Sequence, residues 1–155
     1  MSGRRHAPIA LSCGEPAGVG PELAVAAAQA PDGALPFFWI GDPRHLPEGS
    51  RFAEISTPDE AHHVASGTLP VLRHDFAAPA TAGQPDLANA RGVIEVIARA
   101  VALVQSGEAS AICTAPIHKK VLKDGANFAY PGHTEFLAHL GGVERVVMML
   151  ACPEL

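Results

Sequence analysis

A chain of 155 residues is long enough to fold as one domain around a hydrophobic core, and a composition of 48% hydrophobic and 17% charged residues is typical of a globular protein. The formal net charge is −5, and basic residues cluster only at Arg4-Arg5 and Lys119-Lys120. This distribution excludes a general nucleic-acid-binding surface, which needs a basic patch.

The cysteines and the longest apolar runs exclude two further classes. Cys13, Cys113 and Cys152 are far apart and form no CxxC pair, so a disulfide framework or a zinc site is not indicated. No apolar run approaches the length of a membrane span. We therefore expect a cytoplasmic protein that does not bind membranes.

The first part of the chain predicts a strand, a helix and a second strand. An apolar run from Ile9 to Cys13 leads into a glycine-bearing turn, as buried strands of α/β proteins do. Pro21 and Glu22 are favourable at a helix start, and the helix is expected to run to about Ala30. Phe37 to Ile40 is the second strand, which completes the opening of a βαβ unit.

The middle, residues 44–84, is rich in Pro, Gly, Asp and His and carries two short strand candidates, Phe52 to Ile55 and Leu69 to Leu72. We expect an irregular or antiparallel excursion from the main sheet. From Asp86 onward, apolar residues recur at spacings of three and four and predict a long helix ended by Gly107. Its predicted buried face consists of Leu87, Ala90, Ile94, Ile97, Val101 and Val104.

The remaining elements alternate between strands and helices, so the predicted class is α/β. They are a strand at Ala109 to Thr114, a short helix from Lys119 to Lys123 ended by Asp124-Gly125, a helix beginning at Thr134 and a strand at Arg145 to Leu150.

Residues 14–22, Gly-Glu-Pro-Ala-Gly-Val-Gly-Pro-Glu, lie where a strand turns into a helix. Glycines there allow a close backbone approach to a ligand, and a helix start offers free N–H groups to an anion. The spacing is nevertheless neither the GxGxxG fingerprint nor a phosphate loop, and Glu15 would repel phosphate. A structural turn and a ligand-lining loop both remain open.

Residues 114–120, Thr-Ala-Pro-Ile-His-Lys-Lys, follow a predicted buried strand, and ligands of open α/β sheets gather at the carboxyl ends of strands. Lys119 or Lys120 could meet an anionic group, and His118 could exchange protons near neutral pH. The alternative is a solvated, basic first turn of a short helix.

Residues 130–136, Tyr-Pro-Gly-His-Thr-Glu-Phe, place His133 and Thr134 at the mouth of a predicted helix. There the imidazole and the hydroxyl can bind a carboxylate, a phosphate or a hydroxyl of a substrate. In the competing interpretation Thr134 is an N-cap, Glu135 complements the helix dipole and His133 is an exposed loop residue. The local chemistry does not choose between them.

The other histidines predict no site. His62 and His63 are adjacent and would diverge, and His6, His45, His74 and His139 are isolated. No HExxH motif, paired Cys/His set or GxSxG elbow is present. The sequence therefore contains no complete metal site, and no catalytic residue is assigned.

In this order, the segments at residues 14–22, 114–119 and 130–136 resemble those of the 4-hydroxythreonine-4-phosphate dehydrogenase family of pyridoxal phosphate biosynthesis. Thr81-Ala82-Gly83-Gln84 and residues 147–151, Val-Met-Met-Leu-Ala, also fit, so the resemblance runs from about residue 8 to the last residue. It implies an α/β/α three-layer lobe similar to that of the isocitrate and isopropylmalate dehydrogenases. It also aligns His133 and Thr134 with the family's substrate-binding His-Thr pair.

The activity implied by the resemblance is the NAD-dependent oxidation and decarboxylation of 4-phosphohydroxy-L-threonine to 3-amino-2-oxopropyl phosphate. A divalent metal of the Zn, Mg or Co type would act as a Lewis acid on the hydroxyl and the developing enolate oxygen. The family also implies a homodimer in which the active site is completed by the partner.

Family members are considerably longer than this chain. We therefore expect residues 1–155 to be the N-terminal portion of a two-lobed dehydrogenase, with the metal ligands outside it, and we expect this portion alone to be inactive. Two alternatives remain: a relative that acts on another phosphorylated hydroxy acid or a cis-dihydrodiol acid, and a non-catalytic α/β module.

Overall fold

Five short strands form one parallel sheet in the computed structural model, which describes residues 6–30 and 35–152. Arg4-Arg5 lies outside the described residues. The strand order is β3-β4-β2-β1-β5, and each neighbouring pair is parallel. The strands are β1 (Ile9–Ser12), β2 (Phe37–Gly41), β3 (Phe52–Ile55), β4 (Leu69–Arg73) and β5 (Ala111–Thr114).

Helices cover both faces of this sheet, which confirms the predicted three-layer α/β class. Helix α1 lies near Ile9 and Leu11 on one face, whereas α2 packs across β1, β2 and β5 on the other. No helix in the described ranges has both the length and the apolar character of a membrane span. The helices are α1 (Gly20–Gln29), α2 (Ala90–Ser106), α3 (Lys119–Ala126) and α4 (His133–Gly141), with 3-10 turns at Pro43–His45, Pro58–His63 and Leu87–Asn89.

The core lies between the sheet and α2, and its fully buried members include Phe38, Trp39 and Ile40 of β2. The long helix was predicted correctly, but its buried face is rotated from the predicted one. The buried side chains include Val93, Val96, Ile97 and Ala100, whereas Leu87 is 50% exposed. Apolar residues cover more than half of the helix circumference, so periodicity alone did not determine which of them face the sheet.

The middle segment corrects the expectation of an irregular or antiparallel excursion. Both strand candidates form strands, and β3 pairs in parallel with β4, which pairs in parallel with β2. The connections are short 3-10 turns and loops in place of long helices, and this concealed the βαβ pattern in the sequence. The end of α3 also differs from the prediction, because the helix continues past Gly125 to Ala126.

The strand predicted at residues 145–150 does not form. No residue of this segment is assigned to a strand, and the side chains from Val147 to Leu150 are 75–87% exposed. A strand requires hydrogen bonds from a neighbour, and no other strand of the described ranges pairs with this segment. The apolar segment therefore lies outside the sheet and has no regular secondary structure.

Asp42, at the carboxyl end of β2, organises the loop that follows β4. Its fully buried carboxylate accepts hydrogen bonds from the Arg44 N–H (3.0 Å), from the Arg44 guanidinium (2.6 Å from Nη2) and from the Phe76 N–H (3.0 Å). The same Arg44 Nη2 donates to the Phe76 carbonyl at 2.7 Å. One buried carboxylate thus joins the ends of two neighbouring strands.

Burial alone would raise the pKa of the Asp42 carboxyl, but the hydrogen bonds from Arg44 and Phe76 outweigh it and hold this pKa well below its usual range. As the pH falls, the unfolded chain therefore binds a proton at this position before the folded protein does. The stabilisation by Asp42 is complete above about pH 4 and is lost progressively as the pH falls toward the lowered folded-state pKa.

Asp42→Ala removes the shared acceptor and is expected to lower the free energy of unfolding at pH 7 by about 3 kcal/mol, measured by urea denaturation. Asp75→Ala is the matched control, because its side chain is 71% exposed and pairs with Arg73 on the surface. The control is expected to change the free energy by less than about 0.5 kcal/mol. Equal effects would contradict the role assigned to Asp42.

Candidate functional site

The site is built at the carboxyl ends of β1 and β5. The chain passes from β1 to β2 on one side of β1, whereas β5 adds on the other side. The strand order therefore reverses between β1 and β5, and such switch points are where open α/β sheets place ligands. The segments at residues 14–20 and 115–118 follow these two strands and meet there. We call them the glycine loop and the proline loop.

The glycine loop is held against the proline loop through the backbone. The Glu15 N–H donates to the Pro116 carbonyl at 2.9 Å. Gly14 has a φ of +68°, and a Cβ at this position would lie 2.4 Å from the Pro116 oxygen. A Cβ at Gly20 would lie 2.1 Å from the Cys13 oxygen. Close packing thus accounts for the glycines at positions 14 and 20, which favours the structural interpretation of this loop.

The side chain of Glu15 is turned into the glycine loop and is 6% exposed. Its Oε1 accepts from the Ala17 N–H at 3.1 Å. The carbonyl of Ala17 in turn accepts from the Gly83 N–H at 2.8 Å, so residues 81–84 are bound to the same loop. Backbone hydrogen bonds therefore join the glycine loop to the proline loop and to residues 81–84.

His118 is the N-cap of α3 and fixes the helix start at Lys119. Its Nδ1 accepts from the Val121 N–H at 3.3 Å, and the buried side chains of Val121 and Leu122 hold the helix against the core. A Cβ built at Gly132 would lie 3.6 Å from both Cε and Nζ of Lys119. The side chain of Lys119 thus reaches the start of α4.

An aromatic cluster fixes the turn that precedes α4. Phe128, Tyr130 and Phe136 have ring centroids 5.0–5.3 Å apart, and Phe128 and Phe136 are buried. Their packing, together with the extended N-cap residue Gly132, sets the direction of α4. The first two residues of this helix are His133 and Thr134, the predicted substrate-binding pair.

The competing interpretation from the sequence holds for Glu135, which lies in the first turn of α4, but not for His133 and Thr134. The N-cap is Gly132 and not Thr134, and no side chain donates or accepts a cap hydrogen bond. His133 is helical and only partly exposed, and its Nε2 atom is enclosed without a hydrogen-bond partner in the described chain. Burial and the nearby Lys119 charge lower the pKa of this imidazole, so it is neutral at pH 7.

Two kinds of group are not brought together here. The described residues contain no cluster of three or more His, Cys, Asp or Glu side chains suited to a metal ion. His62 and His63 lie in a 3-10 turn after β3, at the far end of the strand order from β5.

The sequence did not predict that the Lys119 side chain lies beside Gly132, because nothing in the spacing places the start of α3 beside the start of α4.

Comparison with known proteins points to one family. A family model described as pyridoxal phosphate biosynthetic protein PdxA matches residues 35–155. A 4-hydroxythreonine-4-phosphate dehydrogenase of Roseobacter denitrificans is 62% identical over 146 residues, which are 94% of this chain and 45% of that protein. One of Paracoccus denitrificans is 63% identical and covers 93% of this chain and 43% of its own length.

Solved structures agree with this result. A 4-hydroxythreonine-4-phosphate dehydrogenase from Burkholderia phymatum superposes with a TM-score of 0.85 at 35% identity, over 96% of this chain and 48% of that one. The enzyme of the same name from Klebsiella pneumoniae gives a TM-score of 0.76 at 31% identity, over 86% and 44%. The chain thus spans less than half the length of these relatives.

Gly14→Ala tests the contact between the two loops. The left-handed φ costs about 1 kcal/mol for alanine, and the clash with a backbone oxygen is expected to bring the total loss of unfolding free energy to about 3 kcal/mol. Gly67→Ala is the control, because Gly67 has a φ of +75° with no atom within 4 Å of its Cβ position. Urea denaturation should show a loss of only about 1 kcal/mol for the control. If Gly14→Ala were as stable as Gly67→Ala, the close contact between Gly14 and the Pro116 carbonyl would be contradicted.

Proposed function

Because this chain belongs to the pyridoxal phosphate biosynthetic protein PdxA family, we propose that it is the N-terminal portion of a two-lobed dehydrogenase. The complete protein would oxidise and decarboxylate 4-phosphohydroxy-L-threonine to 3-amino-2-oxopropyl phosphate. Two relatives that carry the dehydrogenase name are 62% and 63% identical to nearly the whole of this chain. Their names support the reaction class and the pathway.

The observation that carries the proposal is that His133 Nε2 is enclosed and has no hydrogen-bond partner in the described chain. A half-buried imidazole with an enclosed, unpartnered nitrogen is costly for folding alone, because a buried polar atom loses its hydrogen bond to water. A substrate hydroxyl, carboxylate or phosphate would supply the missing partner. Thr134 follows His133 in α4, and its hydroxyl can donate to the same ligand. These two residues form the proposed substrate-binding pair.

At neutral pH this pair acts by binding and orienting the substrate. The lowered pKa of His133 keeps its imidazole neutral, so one ring nitrogen accepts and the other donates a hydrogen bond. A neutral imidazole can therefore accept a hydrogen bond from a substrate hydroxyl, or donate one to a substrate oxygen. We assign no catalytic role to it, and its contribution is expected to be substrate position.

We propose NAD and a divalent metal of the Zn, Mg or Co type as the cofactors of the complete protein. NAD supplies the hydride acceptor when bound, and the dehydrogenase names of the relatives support this type of chemistry. The described residues contain no cluster of side chains that could hold the metal, so its ligands are proposed to lie in the rest of the complete protein. We also propose a cytoplasmic homodimer, supported by the family membership alone.

His133→Ala in the full-length protein is expected to lower kcat/KM for 4-phosphohydroxy-L-threonine by roughly 100-fold, because a hydrogen bond to an anionic or reacting substrate is lost. The measurement is NADH formation with added metal. His139→Ala is the control on the same helix, since His139 is exposed, and it is expected to change kcat/KM by less than about twofold.

Circular dichroism of both variants shows whether the fold is kept. A folded His133→Ala protein with kinetics equal to those of His139→Ala would refute the substrate-binding role of His133. An active full-length protein that oxidises a different phosphorylated hydroxy acid and not this substrate would instead refute the choice of substrate.

A further inference from the structure

We infer that Lys119 is a third substrate-binding residue, whose ammonium group binds an oxyanion of the substrate held by His133 and Thr134. The inference deepens the proposed function and rests on it for the identity of the substrate. It was not available from the sequence, in which Lys119 and Lys120 were equivalent candidates for an anionic group.

The first support is the position of the Lys119 side chain. Lys119 is the first residue of α3, and the His118 cap and the buried side chains of Val121 and Leu122 fix the helix start. From there Cε and Nζ extend to the N-cap residue of α4, 3.6 Å from the point where a Gly132 side chain would begin. The ammonium group thus lies within van der Waals distance of the start of α4.

The second support is the absence of an internal partner. Lys120 forms an ion pair with Asp124 one turn along α3, at 2.5 Å. Lys119 forms no ion pair within the described ranges, although Glu135 lies nearby, with Oε2 3.7 Å from the same Gly132 point. Lys120 is therefore paired within α3, whereas the ammonium group of Lys119 lies beside the residue that precedes His133 and Thr134.

The third support is that the charge of Lys119 acts on His133. It contributes, after burial, to the lowered pKa of the His133 imidazole, so the ammonium group lies close enough to disfavour a second positive charge. A lysine beside a neutral imidazole and a helix start supplies a positive charge and several hydrogen-bond donors, and the nearby Glu135 carboxylate offsets part of the charge. Such a site favours a carboxylate or a phosphate.

The two oxyanions of the substrate, its carboxylate and its phosphate, share this chemistry. Lys119 would fix one end of the substrate while His133 and Thr134 bind a second group, and three contacts determine its orientation. Since Lys119 contacts the substrate before and during the reaction, its removal should weaken binding more than it slows turnover.

The test compares Lys119→Met with Lys120→Met in the full-length protein. Both variants lose one positive charge from α3 and keep the length of the side chain. Lys119→Met is expected to raise KM for 4-phosphohydroxy-L-threonine by about tenfold or more, with a smaller change in kcat, whereas Lys120→Met is expected to change KM by less than about twofold. Lys119→Arg should restore part of the affinity, since it restores the charge. Equal KM values for the two methionine variants would overturn the inference, and His133→Ala would still test the proposed function separately.

The substrate without its phosphate, 4-hydroxy-L-threonine, distinguishes the two oxyanions. If Lys119 binds the phosphate, Lys119→Met and the unmodified protein should have the same KM for this compound. If it binds the carboxylate, the increase in KM should persist. If Lys119→Met raises the KM for neither compound, the inference is overturned.

A binding measurement separates failure of this inference from failure of the proposed function. Inorganic phosphate is titrated into the labelled protein, and the His133 and Thr134 resonances are followed by NMR. Shifts that are lost in Lys119→Met and kept in Lys120→Met support the oxyanion site even if the unmodified protein does not oxidise the proposed substrate, which would refute the proposed function alone. No shift in the unmodified protein, or equal shifts in both variants, would overturn the assignment of Lys119.

Discussion

The contact between the backbone of Gly14 and Glu15 and the carbonyl of Pro116 determines where everything after β5 is placed. It joins the ends of β1 and β5 at the point where the strand order reverses. The start of α3 follows directly, and with it Lys119. Because the contact leaves no room for a Cβ at Gly14, the position of the proline loop is set by backbone geometry and not by adaptable side chains.

The two halves of the carboxyl edge of the sheet use their polar groups differently. Around β2 and β4, Asp42 and Arg44 bind the following loop, Asn89 accepts from the Ala78 N–H at 2.9 Å, and His45 Nε2 contacts the Ala78 carbonyl at 2.9 Å. These groups are largely satisfied within the protein. Beyond β5, the imidazole of His133 has an enclosed nitrogen without a partner, and Lys119 has no ion pair in the described chain. Trp39 Nε1 and His45 Nδ1 are also enclosed without a partner among the described residues, so it is the pairing of His133 with the Lys119 charge that distinguishes the region beyond β5.

The sequence was sufficient for the α/β class and for the five strands of the sheet. Each of these depends on local patterns, such as apolar runs ended by glycine or proline. The pair at His133 and Thr134 comes from the family resemblance and stays a prediction. The sequence was insufficient where the outcome depends on distant partners. The direction of β3 and β4 depends on β2, and a strand at residues 145–150 would have needed a neighbour. The position of the Lys119 side chain likewise depends on Gly132, which lies beside it only in the folded chain.

The exposed apolar segment from Val146 to Leu150 has a consequence for handling the isolated chain. Five consecutive apolar residues without charge, glycine or proline, and largely exposed, have the composition of segments that stack into intermolecular β-structure. Glu144 and Arg145 flank them on one side and act against such self-association, as charged gatekeeper residues do. Preparations of this polypeptide by itself would therefore be limited in concentration by aggregation through this segment well before the core unfolds.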